Sequence, residues 1–167
     1  MPKLTSAVLS IIALGSILGA SSVLAAPRAS ATYRGSGLDV FNNGPRWRAA
    51  PGAAQKISFR ISQNRSRVLD FRGRYLYYCG AGSSTITAAS LKIRHGRFGG
   101  TGKRVNSAGT NYFALSGQFS ADGLHAKVTY LDDFVSKGKS VKSPYSFAYH
   151  SPAQACESRV TGTATAG

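Results

Sequence analysis

The sequence predicts an all-β fold, a single antiparallel β-sandwich with a barrel-like closure as its variant. Three observations predict it. Short stretches in which apolar and polar residues alternate recur along the chain, separated by turns rich in Gly, Ser and Asn. Beyond the first 26 residues, no stretch sustains apolar residues at the three- and four-residue spacing of a helix. The chain has 167 residues, enough for one domain with a real core.

Residues 1–26 read as a signal peptide rather than as part of the fold. Lys3 is a short positive region, AVLSIIALGSIL (7–18) is an apolar core, and GASSVLAAP follows. Val23 and Ala25 are the small residues a signal peptidase accepts just before its cut. The apolar core is too short and too rich in Ser and Gly to serve as a membrane span. The chain is therefore expected to be secreted, either extracellular or held at the cell envelope. Cys79 and Cys156 are its only cysteines, and in an exported chain an even count reads first as a disulfide. They stand 77 residues apart. Closing a loop of that length would stabilise the fold by about 4–5 kcal/mol on the chain-entropy account.

Residues 27–55 carry Pro27, Gly35, Gly37, Gly44, Pro45, Pro51 and Gly52 with four arginines and sustain no period. They are expected to form an extended Arg-, Pro- and Gly-rich arm ahead of a sandwich domain over 56–167, with at most an edge strand near Tyr33. The domain opens on KISFRIS (56–62), where Ile57, Phe59 and Ile61 alternate with Lys56, Ser58, Arg60 and Ser62. QNRS (63–66) is a turn. RVLDFRGRYLYYCG (67–80) continues as strand, with Phe71, Tyr75 and Tyr77 on one face and Arg72 and Arg74 on the other. ITAASLKIRHGRF (86–98) breaks at Gly96, and GGTGKRVNSAGTN (99–111) reads as a Gly-rich loop. YFALSGQFS sets Phe113, Leu115 and Phe119 on one face, and SADG (120–123) turns the chain. HAKVTYL sets Ala126, Val128 and Tyr130 together. SKGKSVKSP (136–144) is a basic loop, YSFAYH (145–150) alternates again, and CESRVTGTA (156–164) is the last strand.

Several of these stretches resemble a family. ISFRIS, the first cysteine, LKIRHGRF, YFALSGQFSADG and CESRVTGTATA succeed one another as in small exported β-sandwich domains of unassigned function, common in high-GC Gram-positive bacteria. Ile93, Gly96 and Phe98 match one motif, and Leu115, Gly117, Phe119 and Gly123 the next. Gly162 stands where that family often carries a Trp. The resemblance implies a secreted sandwich and brings no activity or ligand residues with it.

Charge is the least ordinary property. The whole chain carries a formal +15. Without Lys3, 20 basic residues face 6 acidic ones, a net +14. Such a surface attracts polyanions. The strands over 56–80 place Arg60, Arg65, Arg67, Arg72 and Arg74 as a candidate anion-binding patch, extended by Lys137, Lys139 and Lys142. Arginine suits bidentate contact with phosphate, sulfate or carboxylate. The structural alternative is a solvated face over a core of rings, which deters edge aggregation. The expected function is a non-catalytic, monomeric binding or envelope-associated module. Its expected partners are an anionic polysaccharide, a wall polymer or a membrane surface, with nucleic acid disfavoured by export. The alternatives are a small secreted hydrolase, with Asp70 or Glu157 near His95, His125 or His150, and a structural protein without a ligand. No nucleophile-elbow, phosphate-loop or zinc spacing occurs, so no cofactor and no metal are expected.

Overall fold

The computed structural model describes residues 26–42, 47–76, 82–140, 144–145 and 157–167. They form eight strands: β1 (Thr32–Asn42), β2 (Trp47–Ile61), β3 (Arg67–Leu76), β4 (Ser83–Lys92), β5 (Arg97–Val105), β6 (Gly109–Phe119), β7 (His125–Ser136) and β8 (Glu157–Ala166). All lie in one antiparallel sheet with the order β4-β3-β2-β1-β8-β7-β6-β5. The all-β class holds, but the architecture is one nearly closed barrel-like sheet rather than two packed sheets. A period-2 pattern is common to sandwiches and barrels. What decides between them is the pairing of β1 with β8, from Tyr33 opposite Ala166 to Phe41 opposite Ser158, at opposite ends of the sequence.

That pairing demands small residues. A Cβ at Gly35 would stand 1.9 Å from the Thr163 carbonyl oxygen, and one at Gly162 2.3 Å from that of Ser36. Position 162 therefore admits no side chain. Residues 32–42 are thus not part of an arm, nor an edge strand. They form β1, paired on one side with β2 and on the other with β8. The alternation was hidden because the positions alternating with exposed Arg34, Ser36 and Leu38 are Tyr33, Gly35, Gly37 and Asp39, of which only Tyr33 is a large apolar residue.

The Gly-rich stretch after residue 98 is likewise a strand for most of its length. β5 pairs with β6 from Arg97 opposite Gln118 to Val105 opposite Thr110. Its lumen-side positions are Phe98, Gly100, Gly102 and Arg104, so only one apolar residue marked the period. β4 and β5 are joined by a two-residue turn, His95–Gly96, with φ of 48° and 68°. Positive φ at both central residues gives the twist a tight hairpin needs. The two strands meet at the bridge between Arg94 and Arg97 and then diverge. The barrel is therefore closed everywhere except along a V-shaped seam between β4 and β5.

β2 likewise begins at Trp47, inside the expected arm, and of the expected strand over 145–150 only Tyr145, in a turn, lies within the described residues. The pattern from residue 56 through β3, and in β6 and β7, was legible. Ile57, Phe59 and Ile61 are buried, as are Val68, Phe71 and Tyr75, while Arg60, Arg72 and Arg74 are exposed. The inward set of β3 shifts from even to odd positions across Asp70, whose φ is 52°. The β2–β3 register shifts beside it, between Ser58 and Arg60, as at a β-bulge. Phe113, Leu115 and Phe119 on β6, and Ala126, Val128 and Tyr130 on β7, face the lumen together.

Rings fill the half of the lumen nearer the His95–Gly96 turn. Phe59 stacks on Tyr33 with centroids 4.9 Å apart and lies 5.3 Å from Phe98, 6.1 Å from Phe71 and 6.3 Å from Phe119. The Tyr33 hydroxyl donates to the Gly123 carbonyl, which ties β1 to the β6–β7 turn. An eight-stranded barrel is just wide enough for side chains to fill. Phe59→Ala should remove the ring common to these contacts and cost about 3–5 kcal/mol. Urea unfolding followed by Tyr fluorescence measures it, with the midpoint falling and the slope unchanged.

Candidate functional site

Antiparallel pairing sets cations in rows across the outside of the barrel. Arg72 on β3 lies opposite Ser58 on β2, and Ser58 lies opposite Arg34 on β1. The row continues to Thr165 on β8 and His125 on β7. Two residues along, Arg74 is opposite Thr85, Lys56 is opposite Ser36, and Ser36 continues to Thr163 and Lys127. Every cation in these two rows is exposed. At a strand spacing of about 4.8 Å and a rise of about 3.3 Å per residue, Lys56 stands roughly 5 Å from Arg74 on the neighbouring strand, Arg72 roughly 7 Å from Arg74 along β3, and Arg34 roughly 10 Å from Arg72 across the Ser58 hydroxyl.

Of the expected patch, Arg72 and Arg74 lie in these rows. Arg74 also donates through Nε (3.2 Å) and Nη2 (3.0 Å) to the Ser83 hydroxyl on β4. Arg67 donates from Nη1 to the Ser90 hydroxyl at 2.8 Å, at the barrel end nearer the β2–β3 turn. Arg65 sits in that turn with φ 57°. Arg60 is held in an exposed ion pair with Asp70, which offsets its charge. Lys137 and Lys139 sit in the turn after β7, at the opposite end, where the Lys137 N–H donates to the Ala108 carbonyl. They do not join the wall. Lys142, Cys79, Cys156 and His150 lie outside the described residues. Sequence reasoning missed Arg34 and Lys56 on the wall, and His125 and Lys127 at the far ends of the rows. Arg34 was masked by reading its segment as an arm. Lys56 was visible on the polar face of KISFRIS, but its neighbours were not.

The wall is cationic partly because the acids are elsewhere. Four of the six acidic residues, Asp39, Asp132, Asp133 and Glu157, are buried, all toward the end of the barrel away from the ring cluster. Asp39 accepts from the Leu76 N–H and from the Ser158 hydroxyl, each at 2.8 Å. Asp132 faces the lumen, and its Oδ1 and Oδ2 accept from the Asn111 side-chain amide nitrogen, at 3.0 and 3.2 Å. Burial pushes its carboxyl up to about 6, against the lowering effect of Asn111, Tyr75 and Arg104. Asp133 and Glu157 face each other across β7 and β8 on the outer side, near where Tyr145 packs edge-on against Tyr112 at 5.3 Å. Burial pushes Glu157 up to about 7, with Arg159 pulling it back down. Burial also raises Asp39.

The hydrolase alternative needs a carboxylate beside a histidine. His95 is in the β4–β5 turn and His125 opens β7, where Nδ1 lies 3.2 Å from the Thr165 hydroxyl. Glu157 pairs with Asp133, eight residues further along β7 than His125, or roughly 26 Å at strand rise. Asp70 is engaged by Arg60. Neither carboxylate meets His95 or His125. Among the described residues, no group of three or more His, Cys, Asp or Glu side chains is placed to hold a metal ion.

The buried carboxyls have a pH consequence. Asp132 and Glu157 ordinarily titrate near 3.8 and 4.5 but hold their protons to about 6 and 7 in the fold. The folded state then binds more protons than the unfolded chain between those limits, so stability falls as pH rises through the window. The thermal midpoint should be higher at pH 5 than at pH 8. In an Asp132→Asn, Glu157→Gln double variant most of that difference should vanish, as read by circular dichroism melts. Comparison of the chain with protein-family models, with curated proteins and with solved structures finds no match in any of the three.

Proposed function

We propose that this protein is a secreted, non-catalytic binding module that holds an anionic polymer on the outer wall of β1, β2 and β3. The observation that supports it is the pair of cation rows through Arg34, Lys56, Arg72 and Arg74, on a face whose one acid, Asp70, is already paired. Cations clustered at roughly 5–10 Å from one another suit a polymer with closely spaced charges, such as a wall polymer or an acidic polysaccharide. Arginine adds bidentate contacts to phosphate, sulfate or carboxylate. An anionic membrane surface is the second partner this chemistry allows. Export through the segment 1–26 belongs to the same reading and makes nucleic acid a poor partner in vivo.

A Cys79–Cys156 disulfide also belongs to it. Asp39 accepts from the Leu76 N–H, three residues before Cys79, and from the Ser158 hydroxyl, two after Cys156. One carboxylate thus draws together the two chain segments that the bridge would join. The oxidised protein should show no thiol toward a thiol reagent under denaturing conditions, and two after reduction.

Two charge-matched variants test the wall. Arg34→Ser, Lys56→Ser, Arg72→Ser and Arg74→Ser together remove four charges from it. Arg94→Ser, Arg97→Ser, Lys137→Ser and Lys139→Ser remove four from elsewhere on the exposed surface. On a sulfated-polymer column and on wall fractions, the first variant should elute at markedly lower salt and the second close to the unsubstituted protein. Equal losses would mean that net charge alone, not the wall, governs retention.

A further inference from the structure

The seam between β4 and β5 opens a groove of about 280 Å³ that the basic-wall reading does not use. It is lined on one side by Ile86, Ala88 and Leu91, and on the other by Gly100, Gly102, Phe113 and Leu115. The groove is closed at one end by the Arg94–Arg97 bridge and opens toward the other, where Lys103 and Arg104 stand. Arg104 pairs with Asn111 on β6 and carries its guanidinium carbon 5.9 Å from the centroid of the Phe113 ring. Among the described residues the lining holds no carboxylate. Leu91, Ala88 and Phe113 are only half-buried, so apolar lumen surface faces solvent through the seam.

The glycines of β5 separate a built groove from a packing defect. A Cβ at Gly99 would stand 2.3 Å from the Leu115 carbonyl oxygen, so the fold requires that glycine. At Gly102 a Cβ would meet nothing within 4 Å, and at Gly100 only Leu91 Cδ2 at 3.6 Å, an ordinary contact. Neither has a positive φ. Glycine weakens a strand interior relative to residues with a side chain. Packing therefore gives no reason for Gly100 and Gly102, and a side chain at either would fill the groove. They are the positions that keep it open.

We propose that this groove binds a single-chain amphiphile, with its apolar chain along Ile86, Leu91, Phe113 and Leu115 and its anionic head at Arg104 and Lys103. The lining sets the direction: toward the bridged end it is apolar at Leu91, with Arg94 and Arg97 outside the groove, and at the open end it carries Lys103 and Arg104. The volume lies just below the usual span of ligand sites, about 300–1,000 Å³, which suits one medium-length acyl chain rather than a two-chain lipid. Arg104 supplies the charge pairing for a carboxylate or phosphate head and already shields the Phe113 ring, so the occupied groove would be dry along its length and capped by charge. The site is separate from the cation rows, and either reading can fail alone.

The probe is sodium decanoate, with decanol as its uncharged counterpart, titrated by calorimetry and by displacement of a fluorescent polyene fatty acid. The oxidised full mature chain should bind decanoate. Gly102→Leu should reduce decanoate affinity at least about tenfold while the thermal midpoint stays level or rises. Gly100→Ala is a milder plug with the same direction, should the larger side chain perturb folding. Arg104→Gln should weaken decanoate about tenfold and decanol by less than about twofold. No decanoate binding by the unsubstituted protein, or undiminished binding by a folded Gly102→Leu variant, would overturn the proposal. So would a dimer in sedimentation that Gly102→Leu dissociates without any decanoate uptake, since the seam would then serve a second copy of this chain.

Discussion

A barrel of eight strands has a lumen that must be filled, and the packing of rings around Phe59 is the constraint on which the rest depends. Phe59 reaches Tyr33, Phe71, Phe98 and Phe119 from four other strands, so one side chain links β1, β2, β3, β5 and β6. Rings of that size fit only because small residues lie beneath some of them. A Cβ at Gly73 would stand 2.7 Å from the Tyr130 ring, and one at Gly117 2.1 Å from that of Phe98. Large and small residues alternate across the lumen, and the closed sheet follows from their fit.

Beyond the rings, the lumen changes character. Tyr130 is the transition: its ring packs on Phe71 while its hydroxyl donates to the Arg74 carbonyl. Past it lie Asp39, Asp132, Asn111 and Ser158, each bonded to another or to backbone. Burying carboxyls in this way is unfavourable when they are charged, which is why Asp132 and Glu157 titrate so late. The same placement removes most of the negative charge from the outer surface. A basic exterior and a polar, carboxyl-bearing barrel end are thus two sides of one distribution of charge.

The seam is a consequence of strand chemistry as well. β4 presents small residues, Thr85, Thr87 and Ala88, and β5 presents Gly100 and Gly102, so neither edge offers the side-chain pairs that hold neighbouring strands together. The turn at His95–Gly96 fixes their near ends. Further along, they part, and the lumen is left accessible from one side.

The sequence by itself determined the secondary structure wherever both faces of a strand carried contrasting residues. KISFRIS, YFALSGQFS and HAKVTYL were readable because large apolar side chains recur every second position. The alternation of Phe71 and Tyr75 with Arg72 and Arg74 was readable for the same reason. It failed for β1 and β5, where glycines occupy the lumen side and erase the period. Tertiary structure alone decided the rest. Closure needs β1 against β8, a pairing between chain ends that no local pattern encodes. The same pairing, with that of β1 to β2, brings Arg34 into line with Arg72 and turns scattered arginines into rows. Charge is fixed by composition, but its geometry is fixed by register, and register between distant strands is set by how the rings fill the lumen.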